Sequence, residues 1–479
     1  MANRPGVLIT SRSAPPPRGI SSDTGVWFVV GTAEKGSLAS AQLVRNMTEF
    51  QLYYGTRQTY SLLWDSLETY FREGGTEAYV ARVTGPSATV AGRNLLDSGA
   101  GNSLRVDAKN AGVWGNSLSV AVVAGTPSGY VLVVTHSTLG EVDRSPTLVT
   151  QADAINWSRN SAWINVSLPT SPTALAPAVA AAAALSAGAD DNTNTTDTAR
   201  QTALGFFTGN LGPGQVSIPG NVTTANRTAL IAHARTYNRL ALLDVTDTPT
   251  RSALVTEANS LQGDEYGALF GPWIVVPGLV PNTTRTVPPT ALAAALMARS
   301  DSTNSPNVPA AGDNGLARWA FDLTQPPWTE TDRDLLNSAG VNLFRDFNDG
   351  VRLYGFRSLA NPAVDVSWLN LANQRLRMEI TAEARNVAKS FLFSQIDGKG
   401  LKIAEFDGAL TGLLSKYYAE GALYGNTSDE AFSIDVGSSV NTPTTIANNE
   451  LHAVLSLRMS PMAELVQIEI VKVPITQSV

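Results

Sequence analysis

The apolar run Val26-Trp27-Phe28-Val29-Val30-Gly31 sets the class of fold of this 479-residue chain. The run is continuous and ends at a glycine, a pattern typical of a strand buried on both faces of an α/β sheet. Apolar residues then recur at helical spacing in Ser61–Arg72. A second apolar run, Ala78–Val83, follows Gly74-Gly75. Strand, helix and strand together predict a βαβ unit.

The same alternation of strands and helices resumes after residue 200. Two apolar runs indicate buried strands and two further stretches indicate the helices between them: Leu240–Val245 and Trp273–Pro277, then Ala225–Tyr237 and Ser252–Leu261. We therefore predict that residues 21–86 and 201–335 build one central α/β domain.

Residues 87–200 have a different pattern. Short β-rich pieces separated by Gly, Pro and Asn turns predict an all-β outer insertion. The pieces are Ser103–Asp107, Ser117–Val123 and Tyr130–Thr135. Residues 170–200 are rich in Ala, Thr, Asn and Pro, which indicates a surface segment with room for one Ala-rich helix. Because exposed segments tolerate change, we expect that a short linker can replace 170–200.

Residues 336–464 combine helical and strand patterns. Amphipathic helical spacing runs through 366–395 and again through 405–424. Alternating apolar residues over Leu451–Met459 then predict a strand. After Ser460-Pro461, Val466, Ile468 and Ile470 lie on one face of a second strand. We predict a C-terminal α+β domain with a hairpin beside two helices.

Both ends of the chain are predicted to be extended arms. Residues 1–20 hold four prolines around a short apolar piece. In the arm at 465–479, the last residues, Val471–Val479, continue extended without a partner strand in the sequence. Each arm could add a strand to a sheet of another subunit. The residues predicted to make these contacts are Val7, Leu8, Ile9, Val466, Ile468, Ile470, Val471 and Val473.

Composition excludes several classes of function. The chain has no cysteine, so disulfides, thiolate zinc sites and cysteine nucleophiles are excluded. Lys and Arg number 34 against 41 Asp and Glu, a net charge of −7, and no basic block appears, so nucleic acid is not expected as a partner. No signal sequence or membrane segment is predicted. Only 16% of residues are charged, which fits either a large polymer-forming surface that buries neutral faces or an exterior that is simply rich in Ala, Thr and Asn.

Catalytic motifs are weak. The three histidines are His136, His233 and His452. His233 lies near Asp244 and Asp247 in sequence, but no Gly-x-Ser-x-Gly elbow accompanies them, so we interpret it as a half-buried helical residue. The acidic pairs Asp190-Asp191 and Asp429-Glu430 are interpreted as solvated loops, and the tryptophans as core residues. We predict no enzyme, no catalytic residue, no cofactor and no metal site.

Ten stretches in a fixed order resemble contractile tail sheath proteins. They span nearly the whole chain, although Ser302–Gly315 and 170–200 depart from the family pattern. The stretches are Pro5-Gly6-Val7, Val29-Val30-Gly31-Thr32-Ala33-Glu34-Lys35-Gly36, Tyr70-Phe71-Arg72-Glu73-Gly74-Gly75 together with Ala78-Tyr79-Val80-Ala81-Arg82-Val83, Ala111-Gly112-Val113-Trp114-Gly115-Asn116-Ser117-Leu118, Arg239-Leu240-Ala241-Leu242-Leu243-Asp244, Gly271-Pro272-Trp273, Pro288-Pro289, Ala298-Arg299-Ser300-Asp301, Ala419-Glu420-Gly421-Ala422-Leu423-Tyr424-Gly425 and Met462-Ala463-Glu464.

The resemblance implies a structural subunit with a subtilisin-like central domain. Such subunits stack as hexameric rings around an inner tube, with the C-terminal domain inward, and contract to drive the tube through a cell envelope. Implied partners are further copies of the chain, the tube protein, and baseplate and tail terminator proteins. The implied location is a virion tail assembled in the host cytoplasm, without membrane insertion. The sheath of a bacterial contractile injection system is an equally open setting.

Two other interpretations remain open at this stage. One is a subtilisin-like hydrolase built on the central domain, and the other is an adhesive or capsid-associated shell protein. Within the sheath interpretation, the helix over 405–424 lies in the domain that the resemblance places innermost. Lys402 and Lys416 on its polar face are the candidate contacts with the tube, because weak exposed ion pairs can separate on contraction.

Overall fold

The computed structural model describes residues 23–247, 250–325, 328–364, 366–464 and 467–468. Its strands are β1 (Trp27–Thr32), β2 (Gln42–Val44), β3 (Ala78–Val83), β4 (Gly92–Leu96), β5 (Asn102–Ala108), β6 (Leu118–Ala124), β7 (Tyr130–His136), β8 (Gly140–Arg144), β9 (Ile164–Ser167), β10 (Ala180–Ala184), β11 (Gln215–Ser217), β12 (Leu240–Asp244), β13 (Gly267–Gly271), β14 (Ile274–Pro277), β15 (Thr284–Val287), β16 (Asp322–Leu323), β17 (Val341–Phe347), β18 (Gly350–Leu353), β19 (Phe432–Asp435) and β20 (Val454–Leu457). Its helices are α1 (Met47–Tyr54), α2 (Leu63–Arg72), α3 (Gln151–Ser158), α4 (Asp197–Leu204), α5 (Thr224–Tyr237), α6 (Arg251–Leu261), α7 (Pro289–Thr303), α8 (Glu330–Ser338), α9 (Leu371–Lys389), α10 (Leu401–Ala419), α11 (Ser428–Ala431) and α12 (Pro443–Ala447).

The largest sheet has eight strands in the order β18-β17-β13-β12-β11-β1-β3-β2. Its six central strands are parallel, and β2 and β18 lie antiparallel at the two edges. The predicted βαβ unit is confirmed, because β1 pairs in parallel with β3 from Trp27 opposite Ala78 to Thr32 opposite Val83. This sheet joins segments from both sides of the insertion into one mixed α/β layer.

Helices cover both faces of this sheet, as the continuous apolar strands predicted. Trp27 and Val29 belong to the core that α2 and α7 share with the sheet, whereas Phe28 and Val30 pack with α4, α5 and α6 on the opposite face. All four side chains are fully buried. A relation of this layer to subtilisin-like folds stays a prediction.

One strand assignment is wrong. The run Trp273–Pro277 does contain β14, but β14 pairs with β15 and β16 in a separate three-stranded sheet. The main-sheet strand is β13, which sequence reasoning missed because glycines at both ends weaken its apolar signal. Close neighbours leave little room for a larger residue at these two positions. A Cβ at Gly271 would lie 2.5 Å from Val245, and one at Gly267 would lie 3.2 Å from Ile231.

Residues 92–184 hold two small sheets, β4-β5-β9 and β10-β6-β7-β8, around a core of their own. The Ala-rich helix expected at 170–200 is wrong, although most of this segment is exposed, as expected. Ala180–Ala184 is a strand that pairs with β6, and Leu185 after it is buried. Tertiary pairing therefore overrides the helix propensity of alanine here. Replacement of 170–200 by a linker would remove both the strand and this core residue.

The C-terminal part packs α9 and α10 against a two-stranded sheet. Leu376 and Ile380 of α9 meet Leu414 and Tyr417 of α10 in one apolar cluster with β19 and β20. Both predicted helices are present. The first is shorter than 366–395, and the side chain of Asn370 caps its start. The second lies at 401–419 and so begins four residues before the predicted 405–424. Gly421, with a φ of 75°, follows the end of α10.

The predicted hairpin at the C-terminus has a different partner. Val454–Leu457 pairs antiparallel with Phe432–Asp435, a strand that the sequence analysis did not assign. The partner proposed from sequence was the run at 466–470, most of which lies outside the described residues. The N-terminal arm 1–20 and residues 469–479 also lie outside them.

Candidate functional site

The family-like motifs meet one another in pairs, and the first pair surrounds a buried carboxylate. Glu73, just after α2, is fully buried and accepts hydrogen bonds from the main-chain N–H groups of Arg318, Trp319 and Ala320 at 2.7 to 2.9 Å. Arg299 of α7 donates to the carbonyl oxygen of Glu73 at 3.0 Å. The motifs at 70–75 and 298–301 thus hold each other together with the chain before β16.

A second junction lies at the end of β12. Asp244 accepts hydrogen bonds from the N–H of Gly220 at 2.8 Å and from the N–H and hydroxyl of Thr290 at 2.9 and 3.0 Å. Burial raises the pKa of Asp244 to about 6, against the lowering effect of these hydrogen bonds. Trp273 Nε1 donates to the carbonyl of Val245 at 2.8 Å. Three more motifs therefore converge on the start of α7.

A third junction attaches the insertion to the central sheet. Lys35 Nζ lies 4.4 Å from the ring centroid of Trp163 and 5.8 Å from that of Trp114, a cation–π arrangement. Burial lowers the pKa of Lys35. The amide of Asn116 bonds the main chain of Gly188 in both directions at 2.9 Å. The residues that resemble the family are therefore contacts between parts of the chain.

The histidine and aspartates tested as a catalytic triad do not form one. His233 Nε2 lies 2.8 Å from Arg239 Nη1, and burial together with that guanidinium lowers the pKa of His233 to about 3. Asp244 takes its hydrogen bonds from Gly220 and Thr290 instead, and Asp247 is exposed. An imidazole whose pKa is near 3 and whose Nε2 already bonds a guanidinium is too weak a base to take a proton from a serine. His233 lies on a helix, as expected, but its side chain is buried and not half-buried.

Acid should destabilise the chain through His233. Because its folded pKa lies near 3 and its ordinary value is 6.5, the neutral folded form is favoured above pH 6.5, and that stability is lost as the pH falls toward 3. We expect about 2–3 kcal/mol of loss at pH 4.5. His233→Gln should lose less stability between pH 7 and 4.5 in urea unfolding, with the exposed His452→Gln as control. Equal acid slopes in both variants would contradict this assignment.

The acidic pairs behave differently from each other. The expectation of a solvated loop is wrong for Asp191, which is buried and accepts hydrogen bonds from Ser87 N–H at 2.8 Å and from Asn194. Asp429 and Glu430 are exposed, as expected.

Within the described ranges, no group of three or more acidic or histidine side chains is arranged to hold a metal ion. None of the described helices has the length and apolar character for crossing a membrane.

The predicted arm residues lie almost entirely beyond the described chain. Ile468 is described and its side chain is 79% exposed. Just before it, Arg357 Nε donates to Glu464 Oε1 at 3.1 Å, which holds the end of the C-terminal domain beside α9. A groove of about 860 Å³ opens here between α9 and β20, lined in part by Ile380, Leu455 and Leu457. Glu464 also lines this groove.

The two lysines predicted to face a tube lie at opposite ends of α10. Lys402 Nζ pairs with Glu405 on its own helix at 2.5 Å. Lys416 Nζ lies 3.3 Å from Glu383 of α9 and faces a polar cavity. Their side chains are 29% and 48% exposed. Their contact with a tube stays a prediction.

Sequence reasoning missed a buried polar cluster between α7 and α9. Arg375 is fully buried and bonds Asp301 of α7, which also accepts from the Thr24 hydroxyl at 2.6 Å. Asp301 belongs to the family-like motif at 298–301, and that membership was a signal that could have pointed to the cluster. Arg375 gave none, because arginines at polar positions of an amphipathic helix are usually solvated.

Residues 216–359 match the family model described as the phage tail sheath protein central domain. The resemblance to contractile tail sheath proteins is thereby confirmed. The matched sheath region holds β12, β13 and α7, so it contains Asp244, Arg299 and Asp301 of the contacts described above. No curated protein matches the sequence.

Solved sheath structures share the fold over most of the chain. A sheath tail protein from Listeria innocua gives a TM-score of 0.63 at 12% identity, covering 88% of this chain and 90% of that one. The contracted sheath complex of PVC, an extracellular contractile injection system, gives 0.58 at 14% identity, covering 98% of both chains. The six-fold symmetrised baseplate of the anti-feeding prophage gives 0.58 at 16% identity, covering 98% and 99%. These structures are named as sheath proteins and as sheath or baseplate assemblies.

Proposed function

We propose that this chain is the subunit of a contractile sheath that polymerises around an inner tube. One observation carries the proposal: a sheath central-domain match lies inside a fold that follows a contracted sheath subunit over 98% of both chains. The motif contacts support it, because they join the parts of the chain into a body that can move as a unit. The His233 geometry gives the hydrolase alternative no support.

The subunits stack as hexameric rings in a helical lattice, and contraction is a change of lattice. The six-fold symmetry named for the anti-feeding prophage baseplate supports this ring size. Closed rings need heterologous contacts between identical subunits, which then stack helically. An extended, metastable lattice rearranges by rigid-body motion into a shorter and wider one with better buried contacts. That motion drives the tube through the target envelope.

The two arms link neighbouring subunits by adding strands. The sheet β19-β20 has two strands, and among the described residues neither outer edge has a partner strand. The apolar groove beside β20 can receive side chains of an added strand, and Glu464 holds the start of the C-terminal arm at its rim. Main-chain hydrogen bonds of this kind survive sliding of the bodies. Val7–Ile9 and Val466–Val473 supply the strands.

The remaining partners follow from the same function. The sheath contacts the inner tube protein, the baseplate below it and the tail terminator above it. It belongs to a phage tail that ejects a genome, or to the sheath of a related injection system, and it assembles in the host cytoplasm. Polymer formation tests this proposal: the purified chain should sediment as large particles, and more so with the tube protein. A chain that stays monomeric under both conditions would contradict it.

Charge reversal on α10 tests the tube contact. Lys402→Glu with Lys416→Glu should reduce co-sedimentation with the tube protein at least about tenfold at low salt, where surface charge is least screened. Tube-free polymers should persist, because they do not use this face. Arg159→Glu, an exposed reversal in the insertion, is the control. If tube binding by the double variant equals that of the control, the contact lies elsewhere.

A further inference from the structure

The α9–α10 pair meets the central layer at a polar cavity of about 410 Å³. The chain just before β1 and the end of α7 form one side of the cavity, and α9 and α10 form the other. Four carboxylates and one ammonium line it: Asp23, Asp301, Glu379, Glu420 and Lys416. The cavity therefore forms a mainly acidic part of the contact, or joint, between the central layer and the α9–α10 pair.

Arg375 of α9 makes a fully buried polar connection across this joint. Its Nη2 donates to Asp301 Oδ2, and the same oxygen accepts from the Thr24 hydroxyl at 2.6 Å. Thr24 is itself buried, and its carbonyl accepts from Gln215 of β11 at 3.3 Å. One guanidinium thus connects α9 to α7 and to the segment that follows the N-terminal arm.

The connection is incomplete on both sides. Nε and Nη1 of Arg375 and Oδ1 of Asp301 are buried without a hydrogen-bond partner among the described residues. Glu379 lies one helical turn after Arg375, and its Oε2 is also buried without a partner there. Arginine and glutamate four residues apart on a helix are within reach of each other. Arg375 therefore has two possible carboxylate partners, one on α7 and one on its own helix.

Charged groups surround Glu379 on every side. Glu383 lies on its own helix, Asp301 on α7, and Lys416, Tyr417 and Glu420 lie on α10, while Asp23 lines the far wall. Lys416 and the Tyr417 hydroxyl both bond Glu383, at 3.3 and 2.8 Å. Burial, together with Glu383, raises the pKa of Glu379 to about 7.

We propose that Asp301, Arg375 and Glu379 form a proton-controlled latch between the central layer and the α9–α10 pair. When Glu379 is protonated, Arg375 stays on Asp301 and the joint is closed. When Glu379 is ionised, it competes for Arg375, and the α9–α10 pair loosens from α7. The latch rests on contacts within one chain and does not depend on the proposed function.

The sign of the pH effect follows from this arrangement. The folded pKa of Glu379, about 7, exceeds its ordinary 4.5, so the protonated form is favoured on folding. The stability that protonation provides is complete below about pH 4.5 and is lost as the pH rises through 7. Glu379→Gln keeps the shape and cannot ionise. We expect its melting temperature to exceed that of wild type by at least about 2 °C at pH 8.5 and to match it at pH 5.

Spin-label distances test the movement itself. Because the chain has no cysteine, spin labels attach only at the introduced Gln51→Cys on α1 and Lys389→Cys on α9. Labelled chain is diluted in unlabelled chain, so that the measured distance is the one between α1 and α9 within a single chain. In wild type the distance distribution should broaden between pH 5.5 and 8.5, as it should in the control Glu405→Gln, an exposed glutamate of α10. In Glu379→Gln it should stay narrow. Wild-type broadening that persists unchanged in Glu379→Gln would overturn the latch.

A second variant covers the case in which Glu379→Gln loses stability for another reason. Asp301→Asn weakens the α7 partner of Arg375 and leaves Glu379 in place. Its distance distribution should already be broad at pH 5.5, where wild type is narrow. A narrow distribution at both pH values in Asp301→Asn would overturn the proposal independently of the first variant.

Discussion

Deletion of residues 1–20 should abolish cylindrical polymers while the chain remains folded. Four apolar clusters form among the described residues, which begin at Asp23, so we expect the body to fold without the arm. In the proposed lattice, each arm contributes a strand to another subunit, so its loss removes a main-chain link at every contact. Sedimentation should show polymer yield falling at least about tenfold, with a melting temperature unchanged within about 2 °C.

A substitution separates strand pairing from mere arm length. Replacing Val7, Leu8 and Ile9 together by serine keeps the length but removes the apolar side chains that an added strand would bury. This variant should assemble as poorly as the deletion, whereas serine at Pro15, Pro16 and Pro17 should assemble far better. Wild-type polymer yield after loss of residues 7–9 or of residues 465–479 would refute the arm proposal.

Glu73→Ala should be the most destabilising single substitution in the central layer. It removes the acceptor of three main-chain N–H groups, of which that of Ala320 is buried, and the carboxylate that lies 3.4 Å from Arg299 Nη1. Loss of one partner of a buried ionic network costs about 3–5 kcal/mol, and unsatisfied N–H groups add to that cost. Urea unfolding of the full chain measures the change.

Glu77→Ala is the matched control. Glu77 lies four residues later, is partly exposed and pairs with Arg45 at 3.1 Å. Exposed pairs contribute about 0–1 kcal/mol. A Glu73→Ala variant no less stable than Glu77→Ala would show that the carboxylate does not hold the segment at 318–320.

Strands and helices can be predicted from the sequence where a short stretch of residues has the apolar spacing of a buried element. β1, α2 and β3 follow from local apolar spacing, and the structure has them within two residues. β13 could not be found, because close contact with Val245 requires glycine where a strand pattern expects a large side chain. The strand at Ala180–Ala184 could not be found either, because only its pairing with β6 distinguishes it from a helix.

The candidate site was predictable only as a set of motifs. The motif at 70–75 and the motif at 298–301 are far apart in sequence, and nothing local indicates that Glu73 and Arg299 meet. The burial of Arg375 is likewise a property of α7 packing across α9. By contrast, the nearness of His233 to Asp244 and Asp247 in sequence raised the possibility of a catalytic triad. The contact of His233 with Arg239 argues against that triad.

Electron microscopy of the purified full-length chain tests the central claim most directly. If the chain is a sheath subunit, images should show long hollow cylinders, and their helical averages should resolve six subunits per ring with each arm crossing into a neighbouring subunit. Addition of the tube protein should yield a longer and narrower lattice around a filled core. Discrete particles of fixed size under both conditions, with no cylinder at any protein concentration, would contradict the account.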